Sequence, residues 1–208
     1  MEPIRLLEPK LCKETENLPV MAALERRQTI REISDRPLPF QLFSNLLWAA
    51  WGVNRRKGPF GVAGRTAASA SNSQEIDLYV ALEDGVYLYE APMNQLTPVL
   101  RGDHRVPALT PGQPVSSEAP VQLIYVADLH KLTHTAGFQE PGLHDPEVQK
   151  SYYFVDAGLI AGNVYLFAAS TGLAAWFHNC DKKLGPFLGL RPDQRVLFAQ
   201  SVGYPKKT

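Results

Sequence analysis

The chain is short of cysteine, short of excess charge and short of long apolar runs, and each shortage removes a class of function. Only Cys12 and Cys180 occur among 208 residues. They are too few and too far apart for a zinc site or a disulfide framework, and they suit a reducing compartment. Lys plus Arg and Asp plus Glu both number 21, so the net charge is zero. No general attraction to nucleic acid or to an anionic membrane is expected. No stretch reaches the roughly 18 apolar residues of a membrane span. Met1 to Lys13 carries Glu2, Arg5, Glu8, Lys10 and Lys13, which is not a secretory pattern, so the cytoplasm is the expected location. Also missing are G-x-G-x-x-G, a Walker A loop and a G-x-S-x-G elbow, the marks of dinucleotide folds, P-loop enzymes and α/β-hydrolases.

What is present reads as one soluble domain, with 45% hydrophobic and 20% charged residues. Residues 1–19 hold Pro3, Pro9 and Pro19 with little periodicity and are expected to form an extended arm. Residues 20–208 form the domain. Val20 to Arg27 predicts a helix, with Pro19 suited to its start. Phe40 to Trp51 predicts another, with Leu42, Leu46, Leu47 and Ala50 at helical spacing and Gly52 as its C-cap. Arg55 to Ser73 has no regular period and reads as a long loop, a feature that in a compact domain is usually functional or disordered. Ile76 to Leu82 and Val86 to Tyr89 flank Glu83-Asp84-Gly85 as a hairpin. Residues 91–119, with five prolines, read mostly as loop, and 130–146 as polar and irregular. Val121 to Ala127 predicts a buried strand. Glu147 to Thr171 predicts the longest helix, apolar on most sides and therefore central. Leu173 to Phe177 and Arg195 to Val202 predict the last strands, with a short helix near Lys183 to Leu188. Without regular βαβ alternation the class is α+β.

Few residues announce chemistry by themselves. Gly58, Gly61 and Gly64 have the wrong spacing for a dinucleotide loop. His130 and His134 are four apart, but the Glu of H-E-x-x-H is missing, so a solvated pair is expected. Arg26, Arg27 and Arg31 close a helix, where cations are favourable in any case. A bound phosphate needs two or three cations plus hydroxyl or backbone donors, because a buried dianion is costly unless paired. Arg27 and Thr29 supply a fork and a hydroxyl, and Lys206 and Lys207 could complete the set.

Five segments in order carry a resemblance. They are Arg27-Gln28-Thr29-Ile30-Arg31, Leu46-Leu47-Trp48-Ala49-Ala50, Arg65-Thr66-Ala67 leading to Asn72-Ser73-Gln74, Gly172-Leu173 after the long helix, and Val202-Gly203-Tyr204-Pro205-Lys206. Together they resemble the nitroreductase family of FMN proteins over roughly residues 20–207, closest to the branch with the SagB-type dehydrogenases. Gln28 and Thr29 stand where the family more often has a basic residue and a serine. Thr keeps the hydroxyl; Gln keeps donors but loses a charge.

The resemblance implies a nitroreductase-like fold, a central, mostly antiparallel sheet flanked by helices, built as an intertwined homodimer with FMN between subunits. It implies that Arg27, Gln28 and Thr29 hold the FMN phosphate and ribityl chain, with Lys206 returning to the phosphate. Arg31 would lie against the flavin N1–O2 edge, where a cation stabilises the reduced anion. Ser69, Ser71 and Asn72 would line the ring. Phe177-His178-Asn179 would present a backbone N–H to N5. No side chain is expected to do the chemistry, and Trp176, Phe177, Phe60 and Tyr152 are candidates for stacking on a flat substrate. The implied activity is hydride transfer from NAD(P)H to a nitroaromatic or quinone by a ping-pong mechanism. Two alternatives are a flavin-binding protein without turnover, acting as sensor or scavenger, and an FMN-dependent dehydrogenase of peptide heterocycles.

Overall fold

The computed structural model describes residues 1–10, 19–105, 108, 119–137 and 144–206. Cys12, Lys207 and the expected loop prolines Pro107, Pro111 and Pro114 lie outside the described residues. The centre is a seven-stranded sheet in the order β1-β6-β5-β4-β7-β9-β8. Its strands are β1 (Ile4–Arg5), β4 (Ile76–Ala81), β5 (Gly85–Glu90), β6 (Gln95–Arg101), β7 (Val121–Asp128), β8 (Ala174–Asn179) and β9 (Gln194–Gly203), and every neighbouring pair is antiparallel. The helices are α1 (Val20–Arg26), α2 (Phe40–Trp51), α3 (Leu129–Thr133), α4 (Pro146–Thr171) and α5 (Leu184–Phe187). A small separate hairpin joins β2 (Val53–Arg55) to β3 (Gly64–Arg65). This is the α+β architecture expected from the pattern.

β7 is the axis of the core and is buried at every position. Its residues alternate between faces, as a strand's must. Leu123, Tyr125 and Ala127 join the cluster with Leu46 and Leu47 of α2 and Ala157 and Ile160 of α4. Ile124 and Val126 join the opposite cluster with Cys180, Leu184 and Leu188. Burial in that second cluster pushes the Cys180 thiol up to about 12, so it is an inert packing group.

Several expectations need correcting. The stretch read as loop at 91–119 contains β6. Pro98 argued against a strand, yet it is tolerated because the pairing with β5 shifts register between Val86 and Tyr87. β1 covers only Leu96 and Gln95 on the other side, so no ladder donor is needed at Pro98. Part of the polar stretch 130–146 belongs to α3, started by the Asp128 carboxylate accepting from His130 N and Lys131 N. The long loop 55–73 holds the end of β2, β3 and two single turns at Pro59–Gly61 and Ala70–Asn72. Over residues 1–10 the expected extended arm lies against the domain. Ile4–Arg5 forms an edge strand, Leu6 is buried, and Leu7 N donates to Ser44 Oγ on α2. α4 is the long apolar helix expected at Glu147 to Thr171, but where no membrane-length apolar stretch was expected it reaches a mean hydropathy of 1.3 over an 18-residue window, enough by length and composition to cross a membrane. It packs instead beside the sheet and α2, with Asp156 among its buried residues.

Candidate functional site

The residues expected to bind a cofactor gather into two clusters. The first surrounds the edge strand β8. After α1, Arg27 takes an extended conformation and the chain runs along β8, where Ile30 N donates to Ala175 O at 3.1 Å. The Tyr165 hydroxyl of α4 ties the region together. It accepts from Phe177 N at 2.9 Å and shares a hydrogen bond with Thr29 Oγ1 at 3.1 Å. Arg27 lies over the same Tyr165 ring, 5.7 Å from its centroid, and Arg31 lies 5.9 Å from the Trp176 ring. The C-terminal segment closes the cluster. Ile33 bridges Pro205, and Lys206 N donates to Glu32 O at 2.9 Å. Arg27, Gln28, Thr29, Arg31 and Lys206 are all exposed. Among the described residues neither Arg27 nor Arg31 has an acidic partner.

β8 pairs with β9 on one side only. Ala175 O and Phe177 N point outward, towards Ile30 and Tyr165, and in an antiparallel strand the outward positions alternate. Asn179 N is therefore the next outward donor, and Asn179 is exposed at the strand's end. The His178 side chain faces the other way. It is 5% exposed, with Nδ1 on Asn179 O and Nε2 on Ser201 Oγ. Burial holds its pKa below the usual value. Of the 177–179 segment, the backbone at Asn179 is the part open to a ligand.

The second cluster is the turn at 69–74. Ser71, Asn72 and Gln74 all have positive φ, at 48°, 54° and 52°, a conformation that costs a non-glycine residue free energy. Side chains hold it there. Gln74 N donates to Ser69 Oγ at 3.0 Å, and Gln74 Nε2 bridges Ala63 O and Asn72 Oδ1. Ala70 N donates to Asp156 Oδ2 on α4 at 2.8 Å. Asn72 Nδ2 donates to Pro59 O and Val62 O at 3.2 and 3.3 Å, so a ligand on this amide must displace one of two long bonds. Arg65, whose pairing with Thr66 resembled a cofactor motif, is structural. Its Nε donates to Gln74 Oε1 at 2.6 Å and its guanidinium lies over Trp51.

Both clusters hang on α4. Tyr165 is nine positions after Asp156, which places them roughly 14 Å apart along the helix on opposite faces. Within one chain the 69–74 turn and the Arg27–Arg31 segment do not share a face of that helix. Of the stacking candidates, Phe60 and Tyr152 are exposed, whereas Trp176 is buried and Phe177 sits in an aromatic row with Phe198 and Tyr125. An open cavity of about 610 Å³ between α4, α5 and β9, lined by Tyr153, Phe154 and Lys182 among others, contains none of the cofactor-site residues.

Two features escaped the sequence reading. Nothing in the pattern of the long helix singled out Tyr165. Glu75 and Asp156, both buried, are 81 positions apart in the chain, and no motif links them.

Comparison with known proteins points to one family. The model of the family described as Nitroreductase matches residues 24–204. A protein of Methanocaldococcus jannaschii, provisionally named a nitroreductase, is 27% identical over 168 residues, 77% of this chain and 78% of its own length. A solved structure from Ralstonia eutropha, also provisionally a nitroreductase, is 31% identical, covers 100% of this chain and 91% of its own, and superposes with a TM-score of 0.85. A chain of the E. coli microcin synthetase McbBCD complex, bound to truncated pro-MccB17, has a TM-score of 0.70 at 16% identity over 97% of this chain and 78% of its own, and so shares the fold. With the matched region spanning the Arg27 segment, the 69–74 turn and β8, this chain belongs to the nitroreductase family.

Proposed function

We propose that this chain is an FMN-dependent oxidoreductase that takes hydride from NAD(P)H and reduces a flat acceptor such as a nitroaromatic or quinone by a ping-pong mechanism. It would work as a cytoplasmic homodimer. The observation that carries this reading is the first cluster. Two exposed guanidiniums without acidic partners among the described residues, a hydroxyl and an outward backbone N–H converge on one edge strand. That donor set fits FMN: cations and a hydroxyl for the phosphate, a cation for the charge that develops on the reduced ring, and an N–H at its reactive edge. The bound flavin would supply the redox chemistry itself.

The roles of this chain's residues are binding, orientation and tuning. Arg27, Thr29 and Lys206 would hold the phosphate end, with Gln28 adding an amide donor. Arg31 would offset negative charge at the ring, and Asn179 N would mark the position from which hydride passes. Ser69, Ser71 and Asn72 sit across α4 from these groups, so a second copy of the chain is what would bring them to the same ligand. α4 supports this. Tyr152, Val155 and Leu159 are exposed along one side of it, an apolar stripe of the kind that marks a contact surface.

The purified protein should be yellow, with flavin absorbance that bleaches under anaerobic NADH or NADPH. Colourless protein that takes up no FMN would overturn the cofactor claim. Yellow protein that neither nucleotide bleaches would make it a binder without turnover. Arg27→Ala should raise the Kd for FMN by roughly 10- to 100-fold, the loss of one charge-assisted contact worth about 1.5–3 kcal/mol. Titration of the apoprotein by flavin fluorescence quenching measures it, and unchanged affinity would remove Arg27 from the phosphate site.

A further inference from the structure

We propose that Glu75 and Asp156 are positioning residues that share one proton, and that this proton holds the Ser69–Gln74 turn in the strained conformation that presents Asn72. The inference rests on the flavin reading only for what Asn72 is held ready to do.

The geometry comes first. Glu75 follows the turn directly, is 0% exposed, and receives the Ser73 hydroxyl on Oε2 at 2.6 Å. Its other oxygen, Oε1, is buried and accepts no hydrogen bond among the described residues. The Asp156 carboxyl of α4, 4% exposed, receives Ala70 N from the same turn at 2.8 Å, so the turn is tied at one end to each carboxyl, and the Asp156 charge bears on Glu75. Two buried carboxylates that feel each other's charge repel, and each lacks the water that would stabilise it. A single proton resolves both problems, because a protonated Glu75 donates to an ionised Asp156 and Asp156 keeps its second oxygen for Ala70 N. Burial first, and then the Asp156 charge, push the Glu75 carboxyl up to about 8. Burial also raises Asp156, while the bonds from Glu75 and Ala70 N favour its charged form.

The other charged groups around this pair are committed elsewhere. Asp128, whose backbone N donates to Glu75 O, turns its carboxylate to Arg191 and the start of α3. Asp77 on β4 faces Lys131 and Gln194. Arg65 on β3 faces Gln74 and Trp51 O. Loss of the shared proton therefore leaves two buried charges with no cation beside them among the described residues. The cheapest relief is to separate Asp156 from Glu75, which breaks the Ala70 tether. The turn has three positive-φ residues in four positions and would relax once that tether is gone.

Two measurements test this. In protein free of FMN, amide exchange at Ala70 should accelerate above about pH 8 beyond the ordinary base-catalysed trend. In Glu75→Gln, whose amide donates to Asp156 at every pH, it should follow the ordinary trend alone. FMN titrations should show the wild-type Kd rising about tenfold per pH unit above the same midpoint, with Glu75→Gln flat at the low-pH affinity. Should Glu75→Gln fold poorly, the carboxyl carbon-13 shift of Glu75 in the wild type replaces it. A midpoint near 8 supports the shared proton, and one near the ordinary glutamate value overturns it. Matching pH trends in wild type and Glu75→Gln overturn it as well. If Ala70 responds as expected but FMN binds at no pH, the pair stands and the flavin reading falls.

Discussion

At the residue scale, the parts of the site that were legible in the sequence are those that depend on local order. Arg27, Thr29 and Arg31 lie within five residues, so their spacing carries their grouping. Tyr165 and Asp156 were not legible, because each acts across more than 80 positions and a single helix stripe does not say which side chain reaches which loop. The segment Phe177-His178-Asn179 was expected to present a backbone N–H; which of the three residues points outward depends on strand parity, and the same parity puts the His178 ring in the core. The Glu75–Asp156 pair also sets the direction of the pH dependence of stability. Folding raises the Glu75 carboxyl from the ordinary 4.5 to about 8, so between those values the folded chain keeps a proton that the unfolded chain has released. The contribution is fully present below about pH 4.5 and is lost as pH rises through about 8, a change on the order of a few kcal/mol. Thermal melts from pH 5 to 9 should show the wild type losing stability relative to Glu75→Gln. A constant difference between the two would mean that Glu75 does not titrate in this range.

At the element scale, long periodic segments were legible and short or edge elements were not. α2 and α4 have enough turns for spacing to identify them. β6 was hidden by Pro98, and α3 is only five residues long, too short for a period. Two glycines after helices show how one residue type hides two causes. Gly172 ends α4 in the left-handed conformation, with φ of 70°, and nothing would meet a Cβ there. Gly52 follows α2 but is extended, with φ of −70°, and a Cβ would overlap the Trp48 ring and carbonyl. The first glycine is needed for its backbone and the second for its missing side chain. Gly172→Ala should cost about 1 kcal/mol, and Gly172→Asn should cost less, since Asn tolerates that region. Gly52→Ala should cost about 1–3 kcal/mol by overpacking, with no relief from Asn. Chemical denaturation of the four variants checks the pattern, and relief at position 52 by Asn would contradict the steric account.

At the scale of the whole molecule, α4 poses a problem that one chain does not solve. The sequence marked it as a helix for the middle of something, yet only 33% of its most apolar window is buried. Its open face carries Val155 and Leu159 together with Gly158 and Gly162, and a Cβ at either glycine would meet nothing within 4 Å. A glycine inside a helix costs about 1 kcal/mol relative to alanine, and nothing among the described residues requires these two. Close approach of another backbone does require small residues. A second α4 lying across this face would cover the apolar side chains and use both glycines. It would also bring the Ser69–Asn72 turn of one chain towards the Arg27–Arg31 segment of the other. Replacing both glycines by leucine sets the two effects against each other. The change should favour the isolated helix by about 1–2 kcal/mol while blocking the dimer. Sedimentation should then show a folded monomer, and FMN affinity should fall with dimerisation, because each site would keep only the Arg27–Arg31 half. A monomer that binds FMN as tightly as the wild type would mean that a single chain holds the whole site.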